Sequence, residues 1–82
     1  MARVLVTGSA DGLGQMAAQR LAASNHEVVL HARNTDRARQ AIEALPSARH
    51  VVVGDLSSLA ETRALADQAN AIGPFDAVQF AT

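Results

Sequence analysis

The 82 residues contain no cysteine, lysine, tyrosine or tryptophan, and only two phenylalanines. Each absence removes a class of chemistry. Without cysteine there is no disulfide, thiolate nucleophile or cysteine-ligated zinc. Without lysine there is neither a Schiff-base amine nor a P-loop lysine for a nucleotide phosphate. Without tyrosine, no phenol can serve as a general acid. All seven basic residues are arginines, and the net charge of −1 gives no broad attraction to nucleic acid or to an anionic membrane. No apolar run approaches the roughly 20 residues of a membrane span. Val4-Leu5-Val6 meets Gly8 too soon for a secretory signal. These features lead us to expect a cytoplasmic protein.

What is present is apolar and regularly patterned. Hydrophobic residues make up 49% of the chain, with charges spread between them, as in a folded domain. The length suits one small domain, in which only about 60% of the unfolded surface can be buried. Arg3 to Thr7 is an apolar run cut by Gly8, which reads as a strand buried on both faces. From Gly12 to Ser24, Leu13, Met16, Ala17 and Leu21 recur at helical spacing. Ser24-Asn25 ends that helix, and Glu27 to His31 gives a second strand. A second helix follows, capped by Asn34 or Thr35, with Ala38, Ala41, Ile42 and Leu45 as its inner stripe and Pro46 as its stop. Val51-Val52-Val53 is a third strand. Ser58-Leu59-Ala60-Glu61 is a capping box opening a third helix, lined by Leu65, Ala66, Ala69 and Ile72 and ended by Gly73-Pro74. Phe75 to Phe80 reads as a fourth strand.

Strictly alternating strands and helices imply a parallel sheet with crossover helices, an α/β fold. Right-handed crossovers give the strand order 3-2-1-4, a truncated Rossmann-like sheet of four strands and three helices, with the first two helices on one face and the third on the other.

Thr7-Gly8-Ser9-Ala10-Asp11-Gly12-Leu13-Gly14 lies between the first strand and the first helix. Glycine permits positive φ and close approach of a ligand to the backbone, and the helix that follows offers unpaired N–H groups to a pyrophosphate. The strand–loop–helix–strand setting points to dinucleotide binding, with a purely structural tight turn as the alternative. The spacing Thr7-Gly-x-x-x-Gly-x-Gly resembles the cofactor loop of the short-chain dehydrogenase/reductase family, and the resemblance runs from Arg3 to about Val78. It implies that Gly8, Gly12 and Gly14 shape the turn and admit the pyrophosphate. It also implies that Ser9 and Leu13 lie along the cofactor path, and that Asp55, in Gly54-Asp55-Leu56, accepts from the adenine amino group. On the residues alone, Asp55 can instead cap the following helix.

The residue after the second strand normally selects the dinucleotide: an acid for NAD, an arginine for the 2′-phosphate of NADP. Here the strand ends His31-Ala32-Arg33-Asn34, with no acid between Glu27 and Asp36. A guanidinium bonds phosphate oxygens in pairs, so NADP(H) is expected ahead of NAD(H), with Arg33 and Asn34 at the site. Many family members carry a basic residue just before the middle glycine, where this chain has Asp11. Arg33 can also be read as a solvated residue, with Arg37 or Arg39 in its place. His26, His31 and His50 show no metal-ligating spacing, and no metal is expected. His31 can pack beside the adenine or ribose.

In the family, the fourth strand leads through an Asn-Ala-Gly-like segment to a catalytic Ser and a Tyr-x-x-x-Lys pair. Here it runs Phe75-Asp76-Ala77-Val78-Gln79-Phe80-Ala81-Thr82, without that Asn, and the chain has no Tyr or Lys. No catalytic residue is therefore assigned, and these residues alone are expected to be inactive by the family's ordinary mechanism. The reading is an NADP(H)-binding half-domain. Its alternatives are a non-catalytic interaction module, or an oxidoreductase subunit completed by another chain. The exposed fourth-strand edge and bare sheet face imply a homo-oligomer.

Overall fold

Short apolar runs separated by helical segments fold as their alternation requires. The computed structural model describes residues 2–9, 12–48 and 50–80. The elements are β1 (Arg3–Thr7), α1 (Gly12–Ala23), β2 (Glu27–Ala32), α2 (Thr35–Ala44), β3 (His50–Val53), α3 (Leu59–Ile72) and β4 (Ala77–Phe80). All three strand pairings are parallel, in the order β3-β2-β1-β4. Among the described residues no helix is long and apolar enough to cross a membrane.

The central strands β1 and β2 are apolar through their middles because both faces are covered, whereas β4 is exposed. Val4, Val6, Val28 and Leu30 point to one face and meet Ala18 of α1 and Ala41 of α2. Leu5, Val29 and Val52 point to the other and meet Leu65 of α3. Two helices thus lie on one side and one on the other, as the right-handed crossovers imply.

The inner stripes of the helices depart in part from the spacing-based reading. In α1 the buried residues are Gly14 and Ala18, while Leu13 is 67% and Met16 51% exposed. Ala17 and Leu21 of the expected stripe do pack against the core, but Leu13 and Met16 do not, because a helix resting on a sheet puts its smallest side chains at closest approach. In α2 the expected stripe holds at Ala38 and Ala41, which are buried, and at Leu45, which packs against the core; only Ile42 departs from it and is exposed. In α3 only Leu65 is fully buried, and Ala66 faces out. β4 begins at Ala77, two residues later than its apolar run suggests; Phe75, just before it, packs with Ile72 against the Leu5, Val29, Val52 and Leu65 cluster.

The ends of the helices follow local chemistry. Asn25 takes φ 70° just beyond α1, a left-handed position that asparagine tolerates, and the His26 N–H closes the turn onto the Leu21 carbonyl at 3.0 Å. Ser58 caps α3, its Oγ accepting from the Glu61 N–H at 3.3 Å. Glu61 does not complete the expected box at Ser58, however. Its carboxylate reaches further back and accepts from the Asp55 N–H at 3.2 Å.

Two side chains with no sequence signature tie the strands to their surroundings. Arg3 bonds Glu27 through Nε at 2.5 Å and gives Nη1 to the carbonyls of Ile72 and Pro74, tying the end of α3 to β1 and β2. At the outer edge of β3, Gln68 accepts from the Val53 N–H and donates to the Val53 carbonyl, both at 2.9 Å. Its amide stands where another strand would.

Candidate functional site

The carboxyl ends of β1, β2 and β3 open onto one rim, the place where open α/β sheets bind ligands. Gly8 leaves β1 with φ 66°, a conformation that favours glycine. A Cβ on Gly14 would lie 2.1 Å from the Gly8 carbonyl oxygen, so α1 reaches the loop only because position 14 has no side chain. Gly12 differs from both. It lies in the first turn of α1, is not among the positive-φ glycines, and a Cβ there would meet nothing within 4 Å. The expectation that all three glycines shape the turn is thus corrected for Gly12, which leaves an open space above the helix N-terminus. Leu13 is exposed beside it. Asp11 lies outside the described residues.

Ser9 faces inward. It is 1% exposed, its hydroxyl donates to the Val6 carbonyl and accepts from the His31 N–H at 3.1 Å, and its own N–H donates to the His31 carbonyl at 2.9 Å. The serine therefore folds the loop with its polar groups engaged inside. Arg33 stands exposed on the rim after β2, and among the described residues no hydrogen bond or ion pair holds it. Asn34 is the N-cap of α2, its Oδ1 accepting from the Arg37 N–H at 2.8 Å.

After β3, Gly54 packs against α3 so closely that a Cβ would come 2.8 Å from the Glu61 carbonyl oxygen. Asp55 follows and does not cap α3. Its Oδ1 accepts from the Ser57 hydroxyl at 2.7 Å and the Ser57 N–H at 2.9 Å. Those two bonds hold the Asp55 carboxyl below its ordinary pKa of 3.8, and the charge of Arg33 across the rim adds to the effect against a desolvation cost. Leu56 is exposed next to it.

His31, which the sequence leaves open as a neighbour of the adenine or ribose, lies inside the protein. It is 4% exposed, and its ring lies beneath the loop. Nδ1 accepts from the Gly8 N–H at 2.9 Å and Nε2 lies 2.8 Å from the Gly54 carbonyl oxygen. Since a backbone N–H can only donate and a carbonyl only accept, the ring carries its proton on Nε2. A signal for this existed: a polar side chain inside a strand apolar on both faces must find partners in the interior. Among the described residues, no group of three His, Cys, Asp or Glu side chains could hold a metal.

Comparison with known proteins agrees with this arrangement. The sequence profile of the short chain dehydrogenase family matches residues 2–79. An oxidoreductase of Emericella nidulans is 60% identical over 78 residues, covering 95% of this chain and 31% of that protein. A short-chain dehydrogenase of Gibberella zeae is 56% identical, over 95% of this chain and 30% of its own length. Among solved structures, the NADP complex of Pseudomonas aeruginosa RhlG superposes with a TM-score of 0.81 at 31% identity, over 94% of this chain and 31% of that one. An actinorhodin polyketide ketoreductase with NADPH gives 0.81 at 28% identity, over 98% of this chain and 32% of that one. The chain belongs to the short chain dehydrogenase family of Rossmann-fold oxidoreductases, which bind a nicotinamide dinucleotide. It spans about a third of the length of the curated relatives it matches.

Proposed function

We propose that this chain is the NADP(H)-binding unit of an oxidoreductase. The observation that carries the reading is Arg33: an exposed guanidinium directly after β2, with no acid following that strand until Asp36, on the same rim as the glycine loop. The residues present fit the cofactor, since the space over Gly12 is open where a side chain would obstruct a pyrophosphate at the start of α1. In this reading the N-terminus of α1 takes the pyrophosphate, Arg33 the 2′-phosphate and Asp55 the adenine amino group, with Leu13 and Leu56 flanking. The bound nicotinamide supplies or accepts hydride. The 82 residues hold no Tyr or Lys, so their part is to bind and orient the cofactor rather than to protonate a substrate. Support also comes from the two relatives solved with NADP or NADPH.

Calorimetry with NADPH and NADH tests the reading. Arg33 should favour NADPH by about 10- to 150-fold, the worth of a charge-assisted hydrogen bond, and Arg33→Ala should erase the preference. Equal affinity in the parent protein would refute it.

The reading extends to assembly. The outer edge of β4 has no partner strand among the described residues, and Val78 is 46% exposed on the sheet face. A further strand adds there, supplied by a second copy when the 82-residue chain stands alone.

A further inference from the structure

The three segments assigned to the cofactor leave three different strands, and a single side chain spans two of their junctions while belonging to the third. His31 sits one residue from the end of β2, two residues before Arg33. Its Nδ1 holds the Gly8 N–H at the end of β1, and its Nε2 meets the Gly54 carbonyl at the end of β3, immediately before Asp55. The backbone of the same residue bonds Ser9 in both directions, through its N–H and its carbonyl. Gly8 in turn is the group on which Gly14 rests, so whatever fixes Gly8 fixes where the first turn of α1 stands over the sheet.

We propose that His31 is a positioning residue for the dinucleotide site: its Nδ1, accepting from the Gly8 N–H, fixes the glycine loop over the sheet, and the Nε2 contact with the Gly54 carbonyl orients the ring for that bond. The inference rests on the nucleotide-binding reading above. Three consequences follow from the hydrogen-bond chemistry. The Gly8 N–H is engaged by the imidazole and is not a donor to the cofactor, so the donors left to a pyrophosphate are those at the start of α1. The left-handed turn at Gly8 is held by an acceptor beneath it as well as permitted by the missing Cβ. The tether also requires the proton on Nε2, because a proton on Nδ1 would face the Gly8 N–H donor to donor.

The two nitrogens can be separated by substitution. Asparagine places an acceptor near the position of Nδ1 and falls short of Gly54; glutamine reaches towards Gly54 and leaves Gly8 without its acceptor; leucine fills the space and does neither. In the full chain, His31→Leu and His31→Gln should weaken NADPH binding by about tenfold or more, whereas His31→Asn should stay within about threefold of the parent. Gly8 amide exchange should follow the same order, with protection lost in the Leu and Gln variants and kept in the Asn variant. A merely structural role would instead rank the variants by melting temperature, whichever nitrogen is replaced. Equal affinities for the Asn and Gln variants, two amides differing in reach, would overturn the proposal even if the leucine variant fails to fold. Failure of the parent to bind any dinucleotide would overturn the functional reading. In that case Gly8 protection that persists equally in Asn and Gln variants overturns the tether as well, and protection lost only in Gln upholds it as a positioner of the loop.

Discussion

A methyl group added at Gly12 meets open space, while one at Gly14 lands 2.1 Å from a carbonyl oxygen. Two glycines two residues apart should therefore fail in different ways. Gly12→Val should leave circular dichroism and melting nearly unchanged yet abolish dinucleotide binding, since its side chain stands where the pyrophosphate would lie. Gly14→Ala should destabilise the fold by about 1–3 kcal/mol, the usual cost of forcing volume into a packed contact. If Gly12→Val binds NADPH normally, the loop is only a turn. The Asp55 carboxyl gives a second test at this scale. Because Ser57 holds it below 3.8, it stays ionised through the neutral and mildly acidic range. A depressed folded pKa stabilises the fold above the unfolded value, and that contribution disappears as pH falls through the folded pKa, hence below 3.8. The Asp55 side-chain carbon resonance should therefore titrate below 3.8. Ser57→Ala should move the midpoint upward, and an unmoved midpoint would mean that the serine bonds are not made in solution.

The rim after β2 combines two tasks within adjacent residues, and the element they begin can distinguish them. Asn34 caps α2 through Oδ1, so Asn34→Ala should cost about 1 kcal/mol in thermal unfolding. Asn34→Asp keeps a capping oxygen and should retain that stability. It also sets a carboxylate next to Arg33, one residue beyond the position where NAD-binding sheets carry their acid, so preference should shift from NADPH towards NADH. Strands and their order were legible because a strand buried on both faces must be apolar along its length, and Val4-Leu5-Val6 and Val28-Val29-Leu30 are. Helices were legible in extent, through Asn34, Ser58 and Pro46, but less so in orientation. Periodicity reports a stripe, not its depth, and the apposition of Gly14 to Gly8 replaced Leu13 and Met16 as the inner face. That the loop, Arg33 and Asp55 share one rim was legible from their position relative to the strands. The roles of His31, Arg3 and Gln68 depend on partners 23, 69 and 15 residues away, as in His31 to Gly54, Arg3 to Ile72 and Gln68 to Val53, and no local pattern encodes them.

At the scale of the molecule, the sheet's two margins are unequal. Val53 offers its outward N–H and C=O to the Gln68 amide, whereas β4 has no partner strand beyond it among the described residues. If a second copy adds at β4, sedimentation of the 82-residue chain should show a dimer that forms with rising concentration, and a monomer throughout would remove the proposal. Stoichiometry then follows from the clasp. Two copies joined through β4 leave only their β3 sides outward, where the Gln68 clasp on Val53 stands in the path of a further strand, so growth ends at the pair; units open on both sides would instead propagate as a filament. Gln68→Ala should convert the dimer into larger species. A side chain that touches no second copy thus acts as a chain terminator and fixes how many can join.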